Sequence, residues 1–151
     1  MIIEEKLASL GIVLPAPPLP AGSYSAVVTS GSLGFVAGQI PTNGVRVEFK
    51  GKVGKDLPLE RGQLAARLCA INALAQLKLN LGSLDRIKRF VKVTGFVNCD
   101  ASFTDHSKVI NGASDLLVQI FGENGKHARA AVGVNSLPLD SAVEIEFICE
   151  I

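Results

Sequence analysis

The residues best suited to chemistry lie in the closing stretch of the chain, HARAAVGVNSLPLDSAVEIEFICEI, at 127–151. Small and branched apolar residues dominate it and predict two strands, 128–135 and 141–150. Arg129, Glu144 and Glu146 place charges in strands that are otherwise apolar. A guanidinium binds carboxylates and phosphates through paired N–H groups, and a carboxylate can hold a water molecule or a proton.

Strand alternation gives Arg129 small neighbours. It shares one face of its strand with Ala131 and a glycine, which leaves room beside the guanidinium. Two interpretations stay open. The arginine forms a structural ion pair, with Glu144, Glu146 or Asp140, or reaches solvent. Alternatively, it is reserved for an anionic ligand, because a buried charge without a protein partner is costly.

The two glutamates face the same way on the last predicted strand, away from Val143, Ile145 and Phe147. A charge on an edge strand discourages aggregation, and this is the simplest interpretation of Glu146. Two interpretations of Glu144 stay open. It discourages aggregation in the same way, or its carboxylate holds a water molecule or a proton.

No other motif competes with this group. His106 and His127 have no partner at the spacing of metal ligands, so we expect surface positions for both and no metal site. The chain shows no P-loop, no dinucleotide-binding glycine pattern and no nucleophile elbow, so no cofactor is expected. The glycines of GSLGFVAG lie in a predicted hairpin rather than between a strand and a helix.

Charge and composition narrow the partners. The formal net charge of +1 supplies no field that would attract nucleic acid, and RIKRFVK alternates charged with apolar residues as a solvated strand face does. The N-terminal segment has acids where a secretory signal needs bases, and no apolar run reaches the length of a membrane span. Cys69, Cys99 and Cys149 fit buried free thiols in a reducing compartment. We therefore expect a cytoplasmic protein without membrane contact.

The elements that must position these residues follow along the chain. A short helix at 4–11 precedes LPAPPLPAG, whose prolines predict a rigid, extended connector. A hairpin over 26–37 is followed by a polar loop at 42–57 with a possible edge strand at 45–49. A long helix starts at Pro58, a strand covers 87–98, and a second helix is capped by Ser102. The predicted apolar helix faces are Leu64, Leu68, Ile71 and Ala75, and Val109, Ala113, Leu116 and Ile120.

This order predicts an α+β fold in which one mixed or antiparallel sheet carries two main helices on one face. We expect residues 1–151 to form one domain, with an N-terminal helix and a proline-rich segment at 1–21. The strands are apolar on both sides, so the uncovered face of the sheet is expected to meet another subunit in a homo-oligomer.

Several stretches together resemble the RidA/YjgF family, whose members have also been called L-PSP endoribonucleases. They are YSAVVTSGSLGFVAGQIP, the long helix, RIKRFVKVTGFVN and ARAAVGVNSLPLDSAVEIEF; the most specific pieces are GQIP at 38–41 and the pattern over 129–146. The resemblance implies a chorismate-mutase-like fold and a homotrimer with sites in the clefts between subunits. It also implies hydrolysis of reactive enamines and imines, such as 2-aminoacrylate, to 2-oxo acids and ammonia.

The resemblance further implies roles for particular residues. Arg129 corresponds to the arginine that binds the substrate carboxylate, and Glu144 to the glutamate that positions the attacking water. Tyr24 and Asn111 correspond to a tyrosine and an asparagine at the cleft, and Gly38 to the glycine whose backbone approaches the ligand. The ligand would be a small carboxylate, a 2-imino or 2-oxo acid.

Three positions depart from the family pattern. Ala37 and Ala131 stand where archetypal members have a serine and a cysteine, and His127 replaces a frequent proline. Segment 1–21 and loop 42–57 exceed the compact family core, which indicates a divergent subgroup. The alternative to a deaminase is therefore a non-catalytic trimeric module that binds small carboxylates and regulates a partner. An endoribonuclease comes third, because neither a basic path for RNA nor an acid–base pair is visible.

Overall fold

The computed structural model describes residues 2–151, and Met1 lies outside the described residues. The regular elements are α1 (Ile2–Ser9), β1 (Val27–Ser30), β2 (Leu33–Gln39), α2 (Leu59–Leu81), β3 (Arg89–Asn98), α3 (His106–Phe121), β4 (Ala128–Val134) and β5 (Val143–Glu150). Among residues 2–151, no helix is both long enough and apolar enough to span a membrane.

The strands form one sheet in the order β1-β2-β5-β3-β4. Neighbouring strands are antiparallel except β3 and β4, which run parallel because α3 returns the chain between them. The helices α2 and α3 pack against each other and against the same face of the sheet. The predicted mixed sheet with two helices on one face is therefore confirmed, and the other face is left uncovered within the chain.

The two long helices bury different fractions of their surface. The predicted apolar face of α3 is buried, and it comprises Val109, Ala113, Leu116 and Ile120. The longer α2 is buried on most sides, and small residues such as Ala65 and Ala70 let its backbone approach the sheet and α3 closely. The prediction that Leu64 belongs to the core is wrong, since its side chain is 49% exposed on the solvent side of α2.

Two further predictions are wrong. Ser102 does not cap α3, because it lies in the turn after β3 and the helix begins only at His106. Residues 45–49 do not form an edge strand. Thr42 and Val47 share one isolated bridge within the loop, and Lys50 and Val53 make isolated bridges to Ser141 and Cys99, so the loop contacts the sheet without adding a strand to it.

The uncovered face of the sheet carries large apolar side chains. Val28, Phe35 and Val132 point to this side and are 52%, 40% and 43% exposed. Their strand neighbours Val27 and Val36 point to the helices and are buried. Apolar side chains exposed together on a sheet face are typical of a subunit interface.

A bulge interrupts the ladder between β2 and β5. Val36 pairs with Phe147 and Gln39 with Ile145, so β2 has one residue more than β5 over this stretch. Gly38 falls inside the bulge. Bulges of this kind are frequent beside functional sites, where they redirect the backbone.

Candidate functional site

Arg129 lies in the edge strand β4 and points to the helix-covered side of the sheet. It pairs with Val93, whose side chain is fully buried on that side. Ala131 and Gly133 share the face of Arg129, so no large side chain separates the guanidinium from α3. Strand alternation predicted free space beside Arg129, and the side chain of Arg129 reaches α3 through this space.

The Arg129 guanidinium is held by three neutral acceptors on α3. Its Nη1 donates to Oδ1 of Asn111 at 2.8 Å and to Oγ of Ser114 at 3.1 Å, and its Nη2 donates to the carbonyl of Ser107 at 3.3 Å. Arginine has five N–H donors, so these three bonds leave two free. No ion pair within residues 2–151 involves Arg129, which removes the structural ion pair as an explanation of its charge.

The sequence reasoning missed the Ser114 hydroxyl, and it also missed Ser107, which contributes only the backbone carbonyl that any residue would supply. Ser107, Asn111 and Ser114 are spaced four and three residues apart, so they share one face of a helix. A polar stripe on a helix that otherwise packs against the sheet was the available signal, and it points toward a charged partner on the neighbouring strand.

His127 extends the network behind Arg129. Its Nδ1 lies 2.7 Å from the Gly125 carbonyl, which can only accept, so Nδ1 carries the proton and donates it. Its Nε2 is then an acceptor, and the Ser114 hydroxyl donates to it at 2.9 Å. Burial lowers the pKa of His127; the bond to Gly125 opposes this and the charge of Arg129 adds to it. The predicted surface role of His127 is wrong, because the ring is partly buried in this network.

Glu144 lies on the opposite, uncovered face of the sheet. It pairs with Phe96 of β3 and is partly buried. No ion pair within residues 2–151 reaches its carboxylate. Burial raises the pKa of Glu144, and the neighbouring charge of Glu146 raises it further. Both causes disfavour the ionised form, so this carboxylate is a stronger proton acceptor than an ordinary glutamate.

Tyr24 and Gly38 share one cleft with Glu144. The three residues line a cavity of about 510 Å³. A Cβ on Gly38 would collide with Oε2 of Glu144, so a side chain there would displace the carboxylate from its present position. The Tyr24 hydroxyl accepts a hydrogen bond from the N–H of Ala21 at 3.2 Å, and its side chain is 55% exposed.

The predicted site residues therefore form two groups. Arg129 and Asn111 touch each other on the helix-covered side of the sheet. Tyr24, Gly38 and Glu144 meet in the cleft at the uncovered side. Within one chain, the sheet separates the anion-binding group from the carboxylate.

The histidines and cysteines form no metal centre of their own. Among residues 2–151, no group of three His, Cys, Asp or Glu side chains is placed to share a metal ion. All three cysteines are buried and unpaired, and burial raises the pKa of Cys149 to about 11. His106 differs from its predicted surface position: its Nε2 lies 3.4 Å from Sγ of Cys99, and its ring packs edge-on against Phe103.

A family model described as "YjgF/chorismate mutase-like, putative endoribonuclease" matches residues 4–151. The chain belongs to the YjgF family. The match spans all eight helices and strands except the first two residues of α1, and the sheet with its two covering helices is the fold of that family.

Three known proteins show what the chain is similar to. Protein TCP17 of Trypanosoma cruzi is 47% identical over 150 residues, which cover 99% of this chain and 94% of the relative. The crystal structure of Atu1372 from Agrobacterium tumefaciens, of unknown function, is 44% identical with a TM-score of 0.93 and covers 99% of this chain and 92% of its own. Escherichia coli TdcF, solved with bound serine, is 26% identical with a TM-score of 0.63, over 90% and 94% of the two chains. The chain thus shares more of its shape with Atu1372 than with TdcF.

Proposed function

We propose that the protein hydrolyses reactive 2-imino and enamine acids to 2-oxo acids and ammonia, at sites formed between the subunits of a homotrimer. The observation that carries the proposal is Glu144, a partly buried carboxylate that has no ion-pair partner among residues 2–151, faces a cleft and has a raised pKa. The bound serine of TdcF supports a small ligand that carries a carboxylate.

The placement of Arg129 and Glu144 supports a shared site. Because the sheet separates them, they can act on one small substrate only if they belong to different subunits. Arg129 lies on the edge strand β4, where a second chain can approach it. Val28, Phe35 and Val132 on the uncovered face offer the apolar surface that such an assembly would bury.

The free donors of Arg129 fit the substrate carboxylate. Two N–H groups remain after the bonds to α3, and a guanidinium can offer two donors to one carboxylate in a fixed geometry. A hydrogen bond to a charged group contributes about 1.5–3 kcal/mol, so the affinity for a small acid is modest. Its main effect is to fix the reacting carbon in front of the water.

The reaction needs no nucleophilic side chain, because the carbon of the C=N bond is already electrophilic. An enamine acid reacts as its imine tautomer. Glu144 takes a proton from water while the water oxygen bonds to that carbon, and it passes this proton to the imine nitrogen, so the carboxylate is ionised again. The resulting carbinolamine carries a hydroxyl and an amino group. Glu144 then takes the proton of the hydroxyl and delivers it to the amino nitrogen, so the C–N bond breaks as the C=O bond forms, and ammonia and a 2-oxo acid leave with Glu144 ionised as at the start.

The test is the formation of 2-oxo acid from imines generated in situ by an L-amino acid oxidase, measured above the spontaneous rate. Arg129→Ala and Glu144→Gln should each abolish the enzymatic part while circular dichroism and the size of the assembly stay unchanged. Full activity in Arg129→Ala would show that the arginine does not bind the substrate.

A second candidate is a non-catalytic module that binds small carboxylates and regulates a partner. Ala131 beside Arg129, and Ala37 next to Gly38, offer no polar side chain where archetypal relatives have one. Calorimetric binding of 2-oxobutanoate without any imine turnover would select this function. RNA cleavage that disappears in both variants would instead favour the endoribonuclease named in the family description.

A further inference from the structure

The cleft that contains Glu144 is larger and more apolar than a three-carbon substrate requires. Its volume of about 510 Å³ is within the range of sites that take drug-sized ligands. Leu19, Val45 and Leu139 line it together with Tyr24. A substrate such as 2-aminoacrylate would occupy only a small part of this space.

The apolar side chains of the cleft are far more exposed than stability alone would favour. Within one chain, Leu19, Val45 and Leu139 are 89%, 94% and 71% exposed. Exposed apolar residues are common when scattered singly, but a group of them around one concave surface marks a binding site. These three residues come from three separate parts of the chain, so their convergence is a property of the fold.

Leu139 also has an unfavourable backbone. Its φ is 55° and that of the following Asp140 is 59°, and these are the two non-glycine residues among 2–151 with positive φ. A left-handed conformation is strained for leucine, and glycine would adopt it without that strain. The Gly51 N–H donates to the carbonyl of Asp140, and the Ser141 N–H donates to the carbonyl of Pro138, so the turn is held in place. A strained, exposed leucine at the rim of a cleft points to a functional contact.

Buried side chains hold the other walls of the cleft. Nε2 of Gln76, which is 4% exposed, donates to the carbonyl of Pro18 at 2.9 Å and fixes the segment that carries Leu19. Nδ2 of Asn72 donates to the carbonyls of Ile40 and Thr42 at 3.0 and 2.9 Å and fixes the start of the loop that carries Val45. The backbone segments that lead to Leu19 and Val45 are therefore held in place before any ligand arrives.

We propose that this cleft binds the side chain of a 2-imino acid with a bulky apolar group, branched aliphatic or aromatic, and that Leu139 determines this specificity. The inference rests on the proposed function, because Glu144 and the substrate carbon must meet at the same cleft. It adds that the substrates are the imines of amino acids such as leucine, in preference to those of alanine or serine.

The experiment compares the imines of leucine and alanine, generated in situ by an L-amino acid oxidase. The wild-type enzyme is expected to show at least about tenfold higher kcat/KM for the leucine imine, since a well-fitting apolar group can give this discrimination. Leu139→Gly should lower the leucine-over-alanine ratio by about tenfold, with an equal or higher Tm because glycine relieves the strain at φ 55°. Val45→Ser should lower the ratio too, whereas its matched control Val13→Ser, at an equally exposed valine outside the cleft, should leave it unchanged.

Calorimetry separates the failure of this inference from the failure of the proposed function. If neither imine is hydrolysed, the proposed function is wrong, and binding of 4-methyl-2-oxopentanoate about tenfold tighter than pyruvate would still support the apolar cleft. Equal binding and equal turnover of the small and large ligands would overturn the inference. So would Leu139→Gly if it dissociates the assembly in analytical ultracentrifugation, because Leu139 would then be a subunit contact.

Discussion

The guanidinium of Arg129 reaches α3 while the carboxylate of Glu144 faces the cleft, so one sheet lies between them. If the site is shared between neighbouring subunits, mixed assemblies of Arg129→Ala chains and Glu144→Gln chains should recover activity that each variant alone has lost. Around a ring of three, each mixed trimer has one boundary at which an intact arginine meets an intact glutamate, so about one third of its sites should work.

Mixed trimers can be isolated by co-expressing the two variants with different affinity tags and purifying on both. Imine hydrolysis by this preparation is compared with that of each single-variant trimer, which should be inactive. A mixed preparation without activity, at the same assembly size, would mean that no site combines residues of two chains.

Glu144→Gln should remove turnover and stabilise the fold at neutral pH. Because the pKa of Glu144 is raised in the folded protein, the folded state binds this proton more tightly than the unfolded state does. Stability is therefore lost as pH rises from about 4.5 through the folded pKa, and glutamine avoids that loss. Turnover should fall by roughly 10²–10⁴, the usual contribution of a general base.

Thermal unfolding of the wild type and of Glu144→Gln between pH 4 and 8 tests whether the variant is the more stable protein at neutral pH. The variant's advantage in Tm should appear as pH rises and shrink in acid. Glu60→Gln is the control, since Glu60 is exposed on α2, does not line the cleft and should change turnover little. A Glu144→Gln protein less stable than the wild type at pH 7 would show that the carboxylate has a stabilising partner.

The alternation of residues correctly predicted that Arg129 and Glu144 lie on strands and which residues of the same strand share their faces, because alternation along one strand is a local property. Their positions on opposite faces of the sheet were not predictable in this way. They depend on register: Arg129 pairs with Val93 and Glu144 with Phe96, which have opposite orientations in β3. Register is set by contacts distant in sequence.

The edge strand predicted at 45–49, within the loop at 42–57, was wrong for a different reason. Its Val-Arg-Val-Glu-Phe run alternates as an edge strand does, but Gly44 and Gly51 have φ values of 95° and 101°. These left-handed turns close the loop on itself, and only glycine allows them without strain. Similarly, the walls of the cleft come from three distant segments, and no local pattern could show that they converge.

Ser114 should position the guanidinium of Arg129. Ser114→Ala removes one acceptor of Nη1 and the link to His127. Loss of one hydrogen bond to a charged group should raise KM by roughly tenfold or more, with a smaller change in kcat. Steady-state kinetics on one imine checks this, with Ser102→Ala, an exposed serine outside the network, as the control. A fall in kcat at constant KM would assign Ser114 a different role.

His127 should make stability depend on pH in mildly acidic solution. Its pKa is lowered in the folded protein, so the unfolded state binds the proton more tightly. Stability is then lost as pH falls from about 6.5 through the folded pKa. His127→Gln cannot titrate and should flatten the dependence of Tm on pH between 5 and 7.5, whereas His106→Gln should retain it. An unchanged slope in His127→Gln would place the titrating group elsewhere.

Phe35 should hold subunits together through the uncovered face of the sheet. It is 40% exposed within one chain, and Phe35→Lys would place a charge without a partner in the proposed interface. Burying such a charge is costly, so the proposed homotrimer should dissociate at concentrations at which the wild type is fully assembled. Sedimentation velocity measures the assembly, and imine hydrolysis should disappear with it.

Leu64→Lys is the matched control for this change, because Leu64 has similar exposure, 49%, but lies on α2 away from the uncovered face. It should remain assembled and active. If Phe35→Lys stays assembled and active as well, the subunits do not meet through this face. Arg129, Glu144 and the cleft are all intact in Phe35→Lys. If this variant is folded but dissociated and has lost turnover, activity requires the assembly.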